Sequence, residues 1–284
     1  MARSKHRVVE DFEAIFRAIS KQRGEPIILV GGHAVNVWGL AYQKRIGRQL
    51  KAYWPLTSGD MDVYATRNAL MALHQDLGGK LLLSGPREIT DGTLILGVEP
   101  DTRELDVLRS VNGIPKIEAQ DSIPMKVCGY EVPVLFPHLL LQGKLDNALH
   151  LNQAERQDVK HVKVLALVLR EFLKEVVGTA TQENERPALS LLQKTLAVLS
   201  SENAQQFARL HGTAFGEVVP AELLAASPLK RLAKFGQKQL PRAFGAPTSK
   251  GASQSSEASG VPLPTERRPS AKRATTKQAN RTER

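Results

Sequence analysis

The sequence is poor in cysteine, and its single cysteine, Cys128, excludes an intramolecular disulfide. A zinc site built on cysteines is disfavoured for the same reason. Low cysteine usage also suits a reducing compartment. No apolar run is long enough to span a bilayer, and the N-terminal residues lead into an amphipathic stretch, unlike the uninterrupted apolar segment of a secretory signal. We therefore expect a cytoplasmic protein with no membrane partner.

Acidic residues are scarce in the last fifth of the chain. Residues 229–284 contain 13 Lys and Arg against three Asp and Glu, whereas the other 228 residues contain 26 of each. A basic excess of this kind attracts nucleic acid. From residue 245 onward Ser, Ala, Pro and Thr dominate and aromatic residues disappear. Because such a composition cannot bury enough apolar surface to offset the entropy of ordering, we predict a disordered basic tail over residues 245–284.

Three aspartates carry the clearest chemical signal. Asp60 and Asp62 are two residues apart in a strand-like run, so their side chains point to one face. Asp106 lies in a second strand-like run between Leu105 and Val107, where a carboxylate near the core needs a cation or hydrogen bonds. If the two strands pair, the three carboxylates form an oxygen-rich site of the kind that Mg²⁺ prefers. We predict that these aspartates bind Mg²⁺, with Mn²⁺ as an alternative.

Gly31 and Gly32 follow the apolar run 27–30 and precede a helix-like stretch. A backbone without Cβ atoms can approach a phosphate closely, and the first N–H groups of a helix attract anions. A glycine pair alone is also compatible with a simple tight turn. Because the three aspartates accompany this pair, we interpret the glycines as a phosphate contact. We therefore expect an enzyme.

The predicted secondary structure changes character at Pro137. Before it, strand-like runs alternate with helices, and the turns at 99–102 and 129–130 each connect two strands into a hairpin. Residues 42–58 are basic and aromatic without a clear period, which predicts a loop. After residue 136 the apolar period becomes helical. Helices are predicted over about 137–150, 154–176, 186–200 and 202–212.

The glycine pair, the Asp60-x-Asp62 motif and the later Asp106 resemble the signature of the nucleotidyltransferase superfamily. The resemblance implies an α/β fold with a mixed sheet and helices in the N-terminal half and a helical C-terminal half. It also implies Mg²⁺-dependent transfer of a nucleoside monophosphate from an NTP to an acceptor hydroxyl, with release of pyrophosphate.

Residues 132–145 and 156–162 resemble the AbiEii-type branch, whose members are toxins of type IV toxin–antitoxin systems. In that branch a strand and a turn precede a helix that bears a lysine, and Lys144 matches this lysine. Two aspartates follow on the next helix; Asp158 matches the first, and His161 stands at the second. Leu56 stands where many relatives carry an arginine. The branch implies RNA, especially tRNA, as the acceptor and a cognate antitoxin as a partner.

The resemblance also implies a role for each matching residue. The expected metal ligands are Asp60, Asp62 and Asp106, and Asp106 is expected to take the proton of the acceptor. The expected catalytic residues are Asp60, Asp62, Asp106, Lys144 and Asp158. The expected nucleotide-binding residues are Gly31, Gly32, Ser58 and Lys144.

These expectations divide the chain into a catalytic domain at 1–136, a helical domain at 137–244 and the tail at 245–284. Two alternatives stay open. One is the same transfer chemistry on a protein or small-molecule acceptor. The other is a non-catalytic nucleotide- or RNA-binding module on the same fold.

Overall fold

The computed structural model describes residues 6–244. Strands and helices alternate in the first half of the chain, and the second half is helical. In this range the strands β1 to β7 are Ile28–Val30, Met61–Tyr64, Lys80–Leu83, Thr90–Leu96, Arg103–Leu108, Ser122–Val127 and Tyr130–Leu135. The helices α1 to α10 are Glu13–Lys21, Gly31–Ile46, Arg48–Lys51, Arg67–Leu77, Pro137–His150, Asp158–Gly178, Glu185–Leu199, Glu202–His211, Ala221–Ala225 and Lys230–Phe244. The predicted tail, residues 245–284, lies outside the described residues.

The described strands form one mixed sheet in the order β3-β4-β5-β2-β1-β7-β6. The middle strand, β2, is antiparallel to β1 and parallel to β5. All three residues of β1 are buried, as expected for a strand covered on both faces. The pairs β4–β5 and β6–β7 are the two predicted antiparallel hairpins. The predicted α/β fold, with its mixed sheet and helical second half, is confirmed.

Helix α2 is longer than its sequence pattern indicates. The sequence predicts a loop over 42–58, but α2 continues to Ile46 and α3 follows it. Tyr42, Ile46 and Leu50 recur every four residues and are all buried, so one apolar stripe continues across both helices. The chain breaks between them at Gly47, whose φ is 64°. The loop prediction was wrong for residues 42–51, where exposed basic residues between the apolar positions obscure the helical stripe.

Helix α2 connects the helices of the second half to the sheet. Helices α5 and α6 pack against each other, and α6 packs against α2. The sequence did not predict α9 and α10, which pack against each other beyond α8. Among the helices of residues 6–244, none combines the length and the apolar character needed to cross a bilayer. The division of the chain after residue 136 stays a prediction.

Candidate functional site

Three aspartates converge on one face of the central strands. Asp62 on β2 and Asp106 on β5 are register partners in a parallel pair, so their side chains leave the sheet on the same side. Asp60 lies directly before β2, and its carboxylate belongs to the same cluster. One carboxylate oxygen of each aspartate lies within 4.8 Å of the other two. This all-oxygen donor set fits Mg²⁺ or Mn²⁺.

The negative charge of this cluster destabilises the folded protein. Burial, together with the neighbouring charge of Asp60, raises the pKa of Asp62 to about 7, against the opposing effect of Lys144. Burial also raises the pKa of Asp106. Raised carboxyl pKa values mean that the negative forms are disfavoured where they stand. A divalent cation would remove this cost, so the charge balance and the donor set point to the same ligand.

A threonine on the neighbouring strand holds the Asp106 carboxylate. Thr93 is the register partner of Asp106 across the β4–β5 pair. Its Oγ1 donates a hydrogen bond of 2.5 Å to Asp106 Oδ1. This bond restricts the rotation of the carboxylate, and it opposes the effect of burial on the pKa of Asp106. Thr93 was not predicted, because the strand register that places it opposite Asp106 is not evident from the sequence pattern.

Thr93→Val is expected to weaken Mg²⁺ binding about 10-fold, because groups that orient a metal ligand are commonly worth 10–100-fold in affinity. The midpoint of a Mg²⁺-dependent thermal shift measures the effect. Thr93→Ser keeps the hydroxyl and should restore the wild-type midpoint. Thr195→Val is the control, since it removes a buried hydroxyl that bonds the Leu191 carbonyl within α7. A wild-type midpoint in Thr93→Val would show that the bond does not orient Asp106.

The glycine pair allows the start of α2 to approach two side chains of the site. Gly31 has a φ of 64°, and a Cβ atom there would lie 1.9 Å from Asp62 Oδ2. A Cβ atom on Gly32 would lie 2.2 Å from Ser58 Oγ. Ser58 itself is held by two backbone hydrogen bonds to Arg7, of 2.8 and 3.0 Å. Because the first N–H groups of a helix lack intrahelical partners, this end of α2 is suited to bind phosphate next to the carboxylates.

A buried ion pair fixes the predicted lysine. Lys144 on α5 donates to Asp158 Oδ1 at 2.8 Å, and the two residues are 8% and 2% exposed. Arg156 Nε donates to the other Asp158 oxygen at 2.5 Å. Although burial opposes it, Lys144 and Arg156 hold the pKa of Asp158 below its usual value. Lys144 also lowers the pKa of Asp62, so its charge acts on the aspartate cluster. Asp158 therefore holds the ammonium group of Lys144 near the aspartate cluster.

Two neutral histidines lie behind the glycine turn. His161 follows Asp158 by one helical turn, and its Cε1 would lie 3.1 Å from a Cβ atom on Gly32. His33 is fully buried, with its ring 4.5 Å from the ring of Phe12. Burial lowers the pKa of His33 to about 3 and that of His161 well below its usual value. His33 is thus a core residue, whereas His161 packs against the glycine turn.

A cavity of about 930 Å³ joins these groups. All of the candidate residues from the sequence line it, namely Gly31, Gly32, Ser58, Asp60, Asp62, Asp106, Lys144 and Asp158. Arg156 and His161 line it as well. Arg156 was not predicted as a site residue, although it lies two residues before Asp158 in the segment that carries the resemblance. Leu56 is 4% exposed and packs in the core, so an arginine at this position would be buried.

No protein-family model and no curated protein matches the chain. Two solved structures are similar to it. JHP933 from Helicobacter pylori is 14% identical, with 82% of this chain and 91% of that chain covered and a TM-score of 0.31. An antigenic nucleotidyltransferase-like protein from Paracoccidioides brasiliensis is 12% identical, with 74% and 100% covered and a TM-score of 0.37. Neither similarity establishes a family or an activity for this chain.

Proposed function

We propose that this protein is a Mg²⁺-dependent nucleotidyltransferase that moves a nucleoside monophosphate from an NTP to an acceptor hydroxyl. Mn²⁺ is the alternative metal. The observation that carries the proposal is the aspartate cluster, with its oxygens within 4.8 Å, in the same cavity as the glycine start of α2 and Lys144. The cavity offers ligands for a divalent cation and, next to them, partners for phosphate. A metal-bound nucleoside triphosphate needs both.

The roles of the residues follow from their positions. A cation bound by the three aspartates would neutralise triphosphate charge and lower the pKa of the acceptor hydroxyl. Asp106, oriented by Thr93, would accept the proton of that hydroxyl. The N–H groups at the start of α2 and the Ser58 hydroxyl would donate hydrogen bonds to phosphate oxygens. Lys144, held by Asp158, would offset the negative charge of the triphosphate.

We further propose RNA, with tRNA as the leading candidate, as the acceptor, and a type IV toxin role with a cognate antitoxin. Two sequence features support this finer proposal. Residues 132–145 and 156–162 resemble the AbiEii-type branch. Residues 229–284 carry 13 basic and three acidic side chains, which would attract a polyanionic acceptor.

The position of the transferred label tests the proposed reaction. The protein is incubated with tRNA, Mg²⁺ and each NTP, labelled at either the α- or the γ-phosphate. The proposal predicts that α-label joins the RNA and that γ-label leaves in pyrophosphate. Transfer of the γ-label would contradict nucleotidyl transfer. Label on the protein or on a small molecule would select the alternative acceptors, and NTP binding without any transfer would favour the non-catalytic module.

Lys144→Met is expected to raise the KM for NTP about 10-fold with a smaller change in kcat, since one charged contact to phosphate is lost. The same change leaves Asp158 with Arg156 alone and costs about 3 kcal/mol of stability. The double variant Lys144→Met/Asp158→Leu replaces the buried pair with apolar side chains, so most of the stability should return. Steady-state kinetics of both variants separate the two effects. A wild-type KM in the stable double variant would show that Lys144 does not contact the NTP.

A further inference from the structure

Helix α10 concentrates positive charge on one side. It carries five basic residues and no acidic residue. Four of the five, Lys230, Lys234, Lys238 and Arg242, recur at intervals of four residues, so their side chains follow one side of the helix. At 1.5 Å per residue this row extends over about 18 Å. All four side chains are exposed. We call them the α10 basic stripe.

The described residues do not neutralise this stripe. The fifth basic residue of α10, Arg231, has its Nε 3.7 Å from Glu185 Oε2, and its backbone N–H donates a hydrogen bond of 2.9 Å to Glu185 Oε1. Within residues 6–244, none of the four stripe residues forms an ion pair. Like charges four residues apart on a helix repel each other. The stripe is thus a surface of unbalanced charge that a polyanion would stabilise.

The opposite side of α10 is already used by the fold. Leu232, Phe235 and Leu240 are 0%, 1% and 7% exposed, and α10 packs against α7 and α9. A basic amphipathic helix binds a membrane by burying its apolar face among the lipids. Because this face is covered by protein in α10, insertion of that kind would require the helix to leave the fold. The charged face therefore favours contact with a phosphate backbone.

We propose that the α10 basic stripe binds the phosphate backbone of RNA. Contacts to phosphates position a nucleic acid without reading its sequence, so binding would be tolerant of sequence. Helix α10 packs against α7, and α7 packs against α5, which carries Lys144 into the cavity. RNA on the stripe would therefore be anchored to the same helical layer as the site. That this RNA is the acceptor rests on the proposed function.

The salt dependence of RNA binding tests the stripe in the full chain. Fluorescein-labelled tRNA is titrated by anisotropy in EDTA between 50 and 200 mM KCl. The variant replaces Lys230, Lys234, Lys238 and Arg242 with Gln. Each lost phosphate contact lowers the slope of log K against log salt by about 0.7–0.9, so the slope should fall by about 3. Affinity at the lower salt concentrations should fall about 10-fold or more.

A second variant has the same loss of charge at a different place. It replaces four exposed basic residues on α1, β3 and β6 with Gln, namely Arg17, Lys21, Lys80 and Lys126. Its slope should stay close to that of the wild type, because its charges are spread over three elements and do not form one row of four along a helix. Equal slopes in both variants would overturn the proposal, since net charge alone would then explain the binding.

The two remaining outcomes are also decisive. Wild-type RNA binding by the stripe variant would overturn the proposal. If that variant also loses binding to phosphatidylserine-containing vesicles, the stripe is assigned to a membrane surface. Because the titration contains no free metal and no NTP, it is independent of catalysis. The salt slope of the stripe variant can therefore change even if the protein shows no nucleotidyl transfer. Nucleotidyl transfer can likewise occur even if the salt slope does not change.

Discussion

Asp62→Asn should lower nucleotidyl transfer by about 1,000-fold or more while the protein stays folded. The substitution keeps the size of the side chain but removes a negative charge that a divalent cation needs. Asp62 lies in the middle strand and is the register partner of Asp106, so its loss affects the whole cluster. Transfer of α-label measures activity, and circular dichroism confirms the fold. Transfer within 10-fold of wild type would remove Asp62 from the site.

The same variant should be more stable than the wild type in EDTA at high pH. The pKa of Asp62 is about 7 in the folded protein against an ordinary 3.8. The folded state therefore holds this proton between these values, and stability falls as the pH rises from about 4 to 7. Asn carries no such charge, so Asp62→Asn should gain up to about 4 kcal/mol at pH 8, or about 10 °C in Tm. At pH 3 the two proteins should be alike, and a lower Tm for the variant at pH 8 would contradict the burial of this charge.

Gly31→Ala should destroy the site and destabilise the protein by about 3 kcal/mol or more. Two causes add. The φ of 64° is strained for alanine, and the new Cβ atom would lie 1.9 Å from Asp62 Oδ2. The Mg²⁺-dependent thermal shift should disappear, because the aspartate must move. Urea unfolding and the Mg²⁺ titration measure the two effects separately.

Gly212→Ala isolates the conformational part of this cost. Gly212 has the same φ of 64°, and a Cβ atom there would meet nothing within 4 Å. It should therefore lose only about 1 kcal/mol and keep the full response to Mg²⁺. Gly31→Ala combined with Asp62→Gly should recover the part of the stability that the clash costs, since neighbouring changes do not add. Equal losses in Gly31→Ala and Gly212→Ala would show that the close approach to Asp62 has no energetic weight.

The aspartate cluster was predictable because it depends on short-range rules. The spacing of Asp60 and Asp62 places them on one face, and the apolar flanks of Asp106 identify a strand that lies near the core. A single pairing of two strands then completes the set. The structure has that pairing, with Asp62 opposite Asp106. The two hairpins were predictable for a similar reason, since their turns are short and rich in turn-forming residues.

Two of the three parts that were missed depend on long-range packing. Thr93 contributes through its register opposite Asp106, which no local pattern states. Arg156 contributes by meeting Asp158 at a helix start, in a stretch that also suits a solvated surface. Helix α10 was missed because its basic residues dominate the composition and hide the buried Leu232 and Phe235. For Thr93 and α10, a tertiary contact decides between alternatives that the local sequence leaves equal.

The most direct measurement of the central hypothesis is a count of bound Mn²⁺ by electron paramagnetic resonance, with and without NTP. The wild type should bind Mn²⁺ and should bind it more tightly when NTP is added, because the three aspartates and the triphosphate share the cation. Asp62→Asn, folded and at the same concentration, should bind little Mn²⁺ under either condition. Equal binding by the two proteins would mean that Asp60, Asp62 and Asp106 are not a metal site.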